Sequence, residues 1–192
     1  MTMETAYLAS ARQIAARAFA ERLRPGDSAV DATLGTGQDC LQLCRLVGDG
    51  GLVHGFDIQL AALDKTRARL LEHRLDHVAR LYLAGHERMA DFVPPGIRLA
   101  AFNLGWLPGS DKRVTTRAGT SVLGLQAALG LLAPGGLAVV CIYPGHEEGE
   151  RERRDLLQLA AALPPRAFTA LWHDFLNGGP GAPGCLLIEK CP

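Results

Sequence analysis

Short apolar runs separated by segments of helical spacing constrain this chain more than any other feature. Residues 28–33, 51–58, 79–85, 98–104 and 137–145 read as strands. Among them fall helical segments at 38–46, 60–75 and 120–136. The last puts Val122, Leu125, Leu129 and Leu132 on one face and stops at Pro134-Gly135-Gly136. Strands that alternate with helices of ten or more residues make βαβ units, which demand a parallel sheet covered on both faces. The fifth strand is apolar throughout, as a central parallel strand should be. A further helix spans 151–163. Strands at 168–176 and 184–191 then follow one another across the Gly/Pro loop 177–184 as a closing hairpin. The expected fold is α/β: a doubly wound, Rossmann-like, seven-stranded, mainly parallel sheet with one antiparallel strand in the C-terminal hairpin. Ahead of it, Tyr7, Ala11, Ile14 and Ala18, with Leu8, Ala15 and Phe19 beside them, form an amphipathic helix stopped by Pro25-Gly26. That helix, within residues 1–24, packs on or extends the core.

The 192 residues suit a single domain, 1–192, with a full core. Apolar residues at 48% and charged residues at 21% exclude a disordered chain. Lys+Arg and Asp+Glu number 20 each, so net charge gives no argument for a nucleic-acid partner; such binding would need a local basic patch. Basic side chains gather at Lys112, Arg113 and Arg117. A second group, Arg151, Arg153 and Arg154, is interleaved with Glu and reads as a solvated helix face. Five Cys with no CxxC pair argue against a disulfide framework and a zinc ribbon, and no metal is expected. Cys40 and Cys44, at i,i+4, read as small buried residues. The start lacks the uninterrupted apolar core of a signal peptide, and Glu4 and Glu21 weaken a transit-peptide reading. No run is long enough to span a membrane, so a reducing cytoplasm is the expected setting.

"DATLGTGQD", residues 31–39, follows the first strand and opens a helix. Gly35 and Gly37 let the backbone turn sharply and approach a ligand closely. Asp57 closes the second strand 20 residues after Gly37, where a carboxylate can accept both hydroxyls of a ribose. The dinucleotide pattern GxGxxG is incomplete, because Cys40 stands at its third small position. Carboxylates on both sides of the loop oppose a pyrophosphate but suit the ammonium and sulfonium of S-adenosylmethionine. S-adenosylmethionine is therefore the favoured cofactor and NAD the alternative. Its expected contacts are Asp31, Thr33, Gly35, Gly37, Gln38 and Asp39, then Asp57, Ile58 and Gln59, then Gly85 and His86 at the third strand's end, and Asn103 and Gly105 at the fourth's. His86 has an equally good reading as a solvated residue at a helix start.

"VDATLGTGQD", "FNLGWLPGSDK", "APGGLAVVCIYPGHEEGERE" and "FLNGGPGAPGCLLIEK" together resemble the class I S-adenosylmethionine methyltransferases labelled rRNA methylases, from about residue 20 onward. The combination of "NLGWLPGSDK" with "YPGHEEG" is far more specific than the glycine loop. The resemblance implies a seven-stranded methyltransferase fold. It also implies methylation of the amine of 5-aminomethyl(-2-thio)uridine at the wobble position of tRNA, hence an anticodon-loop partner, and it makes a homodimer plausible. An rRNA base or a small-molecule amine is the alternative substrate.

Many methyltransferases acting on an amino group carry Asn/Asp-Pro-Pro-aromatic at the fourth strand's exit, and "NLGWLP" resembles a variant of it. Ligands bind outside the carboxyl ends of the strands in such sheets, where Asn103 and Tyr143 fall. The Asn103 side chain and the next backbone carbonyl can accept hydrogen bonds from the nucleophilic N–H. Trp106 offers a face for base stacking or closes the loop as a buried hydrophobe. Asp111 and His146 are the candidates for taking the amine's proton. Lys112 and Arg113 are expected to meet the RNA, and Tyr143, Pro144 and Gly145 to shape the base pocket. Thr115 and Thr116 read as the approach to the next helix, with lining of the substrate channel as the alternative.

Overall fold

The computed structural model describes residues 10–105 and 116–192. Its sheet has seven strands: β1 (Ser28–Asp31), β2 (Leu52–Asp57), β3 (Ala79–Leu83), β4 (Ile97–Asn103), β5 (Leu132–Ile142), β6 (Phe168–His173) and β7 (Gly184–Lys190). They lie in the order β3-β2-β1-β4-β5-β7-β6. Pairings among β1 to β5 are parallel, and β7 runs antiparallel to both β5 and β6. The chain order reverses between β1 and β4, which is where an open α/β sheet leaves a crevice for a ligand.

The helices are α1 (Ala11–Arg22), α2 (Gln38–Val47), α3 (Leu60–Glu72), α4 (Ala118–Leu131) and α5 (Glu147–Ala161). Ser10 caps α1 by accepting from the Gln13 amide at 3.2 Å. Ala11, Ala15 and Phe19 are its buried stripe. They share a core with Leu43 and Cys44 of α2, Leu63 and Leu70 of α3, and Ala29, Leu99, Ala101 and Val139 from one face of the sheet. The opposite face, with Val30, Phe56, Ala100, Phe102 and Val140, is covered by Leu125 and Leu129 of α4 and Leu156 of α5. Alternate residues of one strand thus feed two cores, which is why the central strands read as unbroken apolar runs. α1 is also tied to β7 by an ion pair between Arg22 and Glu189.

Several boundaries differ from the sequence reading. β1 ends at Asp31 rather than residue 33, because the Thr33 amide turns back onto the Asp31 carboxylate at 3.0 Å. α5 begins at Glu147 rather than 151, capped by His146, whose Nδ1 accepts from the Gly149 amide at 3.1 Å. β5 starts at Leu132, paired with Ile97, so Leu132 belongs to the strand and not to the α4 face; a register shift follows before regular pairing resumes at Leu137. Short 3-10 turns at Asp76–Val78 and His86–Asp91 have no counterpart in the hydrophobic pattern.

Candidate active site

The turn after β1 is held from both neighbouring strands. The Ala32 amide donates to the Ala101 carbonyl at 2.8 Å and the Leu34 amide to the Phe56 carbonyl at 3.0 Å. The Gly35 amide donates to Asp57 Oδ2 at 3.0 Å. Asp57 Oδ1 accepts from the Gln59 amide at 2.9 Å, so the carboxylate is pinned with one further lone pair on each oxygen. Gly37 begins α2 at φ +75°, and a Cβ there would lie 2.8 Å from the Thr66 Cα. Only glycine meets both conditions.

The exit of β4 faces this turn. The Asn103 amide donates to Thr33 Oγ1 at 2.7 Å. Its side-chain Nδ2 donates to Asp39 Oδ2 at 3.2 Å, leaving Oδ1 as the acceptor the side chain can offer. Arg12 of α1 closes the arrangement, donating to Gln38 Oε1 at 2.9 Å and to Asp39 Oδ1 at 3.3 Å.

These elements enclose a cavity of about 470 Å³, within the range of small-molecule sites. Of the candidates named from sequence, Thr33, Gly35, Gln38, Asp39, Asp57, Ile58, Gln59, Gly85, His86, Asn103, Gly105 and Tyr143 line it. Asp31 and Gly37 sit behind that lining, as does Pro144, which is buried; Gly145 is exposed and His146 half-buried, both outside the lining. Trp106, Asp111, Lys112, Arg113 and Thr115 lie outside the described residues.

The electrostatics are those of a site built for a cation. Asp31 is 1% exposed and its Oδ2 has no hydrogen-bond partner among the described residues. Burial pushes its carboxyl up to about 8, with the charge of Asp39 and then of Asp57 adding to the effect. His86 is not the solvated residue that one reading allowed. Its ring is buried, Nδ1 lies 3.2 Å from the Ala32 carbonyl, and it meets Phe102 edge-on with centroids 5.7 Å apart. Burial lowers its pKa, so the ring is neutral. The Tyr143 phenol is pushed up by burial and stays protonated.

Sequence reasoning missed Arg12 and Thr120 at the cavity and Glu152 behind it, while Thr116, read as the helix approach with channel lining as the alternative, does line the cavity. Arg12 reaches its partners across 26 and 27 residues, and no local pattern carries that. Glu152 did leave a signal. Gly149, Glu152, Leu156 and Ala160 form the buried stripe of α5, at helical spacing. The charged neighbours disguised it: Arg151, Arg153 and Arg154 pair at the surface with Glu147, Glu150 and Asp155, as a solvated face should. Among the described residues no group of three His, Cys, Asp or Glu side chains could hold a metal, and no helix is long and apolar enough to cross a membrane.

Residues 53–189 match the family described as "Putative rRNA methylase". The chain belongs to this family. It is 33% identical over 190 residues to the tRNA (mnm(5)s(2)U34)-methyltransferase, chloroplastic, of Arabidopsis thaliana, covering 94% of this chain and 69% of that one. A crystal structure of a family protein from Clostridium thermocellum superposes with TM-score 0.92 at 32% identity, over 99% of this chain and 100% of the other. A Streptococcus mutans methyltransferase in complex with SAH superposes with TM-score 0.84 at 29% identity, over 93% and 97%. This chain has the class I methyltransferase fold and is an S-adenosylmethionine-dependent methyltransferase.

Proposed function

We propose that this enzyme methylates the aminomethyl nitrogen of 5-aminomethyl(-2-thio)uridine at the wobble position of tRNA, giving the 5-methylaminomethyl form. The observation that carries the reading is the orientation of Asn103. With Nδ2 spent on Asp39, it offers Oδ1, an acceptor, at the β4 exit, as an N–H nucleophile requires. The activity named for the Arabidopsis thaliana relative supports the same substrate class.

The residues present fit the cofactor. Gly35, at φ +53°, brings bare backbone to the cavity wall, Asp57 keeps lone pairs for two hydroxyls, and the Asp31–Asp39 pair suits an ammonium. Ile58, exposed at the cavity wall, gives an apolar surface for the adenine. When bound, S-adenosylmethionine supplies the methyl group and a positive charge beside the amine.

The substrate amine must reach the site with its lone pair free. A Lys-like amine with a pKa of about 10.4 is protonated at pH 7, and neutralising it costs roughly 4–5 kcal/mol. A neighbouring cation lowers that cost, because like charges disfavour the ammonium. Asn103 Oδ1 and the Leu104 carbonyl then hold the amine's N–H bonds and aim its lone pair. For the departing proton, Asp111 is the acceptor we carry forward, because His146 Nδ1 is occupied by the Gly149 amide. Arg117, at the cavity and at the start of α4, together with Lys112 and Arg113, supplies local positive charge for the anticodon loop. A homodimer would present two such patches, which a chain with 20 basic and 20 acidic residues needs; light scattering of the purified enzyme checks it. Unbridged thiols at Cys40, Cys44, Cys141, Cys185 and Cys191 fit the reducing cytoplasm we assign to it.

Mass spectrometry of tRNA nucleosides after incubation with enzyme and S-adenosylmethionine tests the substrate. Conversion of the 5-aminomethyl uridine supports the reading. Methylation of rRNA or of free amines, with the wobble uridine untouched, moves the function to the alternative substrates.

A further inference from the structure

Behind the β4 exit lies a buried carboxylate that the reaction above does not use. Glu152 of α5 is 1% exposed. It accepts a hydrogen bond from the Ser121 hydroxyl of α4 at 2.5 Å. Just ahead of α4, Thr116 is bonded twice to Gly105. Its amide donates to the Gly105 carbonyl at 3.0 Å, and its Oγ1 accepts from the Gly105 amide at 2.9 Å. One turn earlier, Glu148 accepts from the Ala118 amide at 2.8 Å and fixes the start of α4 on the same part of α5.

Of these bonds, the one from the Gly105 amide bears on the Leu104–Gly105 peptide plane, in which the Gly105 N–H and the Leu104 carbonyl point in opposite directions. Gly105 has φ +138°, a conformation that glycine leaves loosely determined. Orientation must come from outside, and the Thr116 hydroxyl is its source. A buried acid is an expensive way to join two helices, since apolar side chains would join them as well. Burial pushes the Glu152 carboxyl up, and the hydrogen bond from Ser121 and the Thr116 hydroxyl bring it down.

We propose that Glu152 is a positioning residue. By holding α4 through Ser121, and with it Thr116 just ahead of that helix, it sets the Leu104–Gly105 peptide, so that the Leu104 carbonyl stands with Asn103 Oδ1 as the second acceptor for the substrate's N–H. The inference rests on the amine-methylating reading above.

The test compares Glu152→Gln, Thr116→Val and Thr116→Ser in three measurements: turnover on tRNA, calorimetry with S-adenosylhomocysteine, and amide exchange of peptides holding Gly105 and Thr116. Glu152→Gln and Thr116→Val should lower kcat by about 10- to 100-fold, the scale of a small misplacement of reacting groups. Both should speed exchange at Gly105 and leave the affinity for S-adenosylhomocysteine unchanged. Thr116→Ser, which keeps the hydroxyl, should keep kcat and protection. The proposal is overturned by unchanged exchange at Gly105 in Glu152→Gln, by equal losses in Thr116→Ser and Thr116→Val, or by cofactor affinity falling in step with kcat. A wild-type chain that methylates no wobble uridine would overturn the substrate reading instead, while the exchange measurement still decides whether Glu152 holds the peptide.

Discussion

Replacing Asp31 by Asn should change how stability depends on pH more than any other single substitution at the site. Asp31 is buried at the end of β1, with Oδ1 bonded to the Thr33 amide and Oδ2 unpartnered among the described residues. Its folded pKa is raised from 3.8 to about 8. Between those values the folded chain keeps the proton and the unfolded chain has lost it. The stability this group contributes is therefore fully present below 3.8 and is lost as pH rises toward 8. The slope is about 1.4 kcal/mol per pH unit for one proton. From pH 5 to pH 7 the loss is about 2.7 kcal/mol, a large part of a net stability of roughly 5–15 kcal/mol. Asn has the same shape, keeps the acceptor for Thr33 and cannot ionise. Urea unfolding of the cofactor-free protein at pH 5, 6 and 7 should show Asp31→Asn gaining on the wild type by about that amount across the range. Other titrating groups, His54 and His86 among them, cancel in the difference. Parallel stability curves for the two proteins would refute the reasoning. The same sign carries to binding. A cationic ligand beside Asp39 favours ionised Asp31, so affinity for S-adenosylhomocysteine should rise with pH toward 8 in the wild type and stay flat in Asp31→Asn.

Asn103→Ala should lower kcat by about 100-fold, because an oriented acceptor at the reacting centre is lost, while calorimetry still finds S-adenosylhomocysteine bound; full turnover at saturating cofactor would disprove the orienting role. Gly37→Ala should abolish cofactor binding and cost at least about 1–2 kcal/mol in stability, since it adds left-handed strain to the clash with Thr66, and a thermal melt with and without S-adenosylhomocysteine reads both effects. Arg12→Ala should leave urea stability within about 1 kcal/mol, because the Arg12–Asp39 pair is partly exposed, and a larger loss would mean that α1 depends on it.

The fold was legible because two periodicities, two for strands and near four for helices, are written in the apolar residues themselves. The glycine turn, Asp57 and Asn103 were legible for a related reason: each stands at the carboxyl end of a strand, so its place along the chain gives its place in the crevice. What stayed hidden was set by contacts between distant segments. Arg12 meets Asp39 only because α1 packs beside α2, and Glu152 meets Ser121 and Thr116 only because α5 packs on α4. His86 was undecided from sequence because nothing local announces that α4 will cover it, which it does so closely that a Cβ on Gly124 would strike the ring. The start of α5 was missed because His146 is an uncommon cap, using a ring nitrogen where a hydroxyl or carboxylate usually serves.

The strand order has a consequence for how the chain is made. β7 is the last strand in sequence, yet it lies inside the sheet between β5 and β6. On a ribosome, β5 ends at residue 142 and its partner is complete only at residue 190, 48 residues later. At about 5–20 residues per second, the apolar edge of β5 waits roughly 2–10 seconds for its neighbour. An open edge of that kind is a template for other chains. Slow decoding between β5 and β7 would lengthen the wait, so the yield of folded enzyme should fall when translation slows in that stretch.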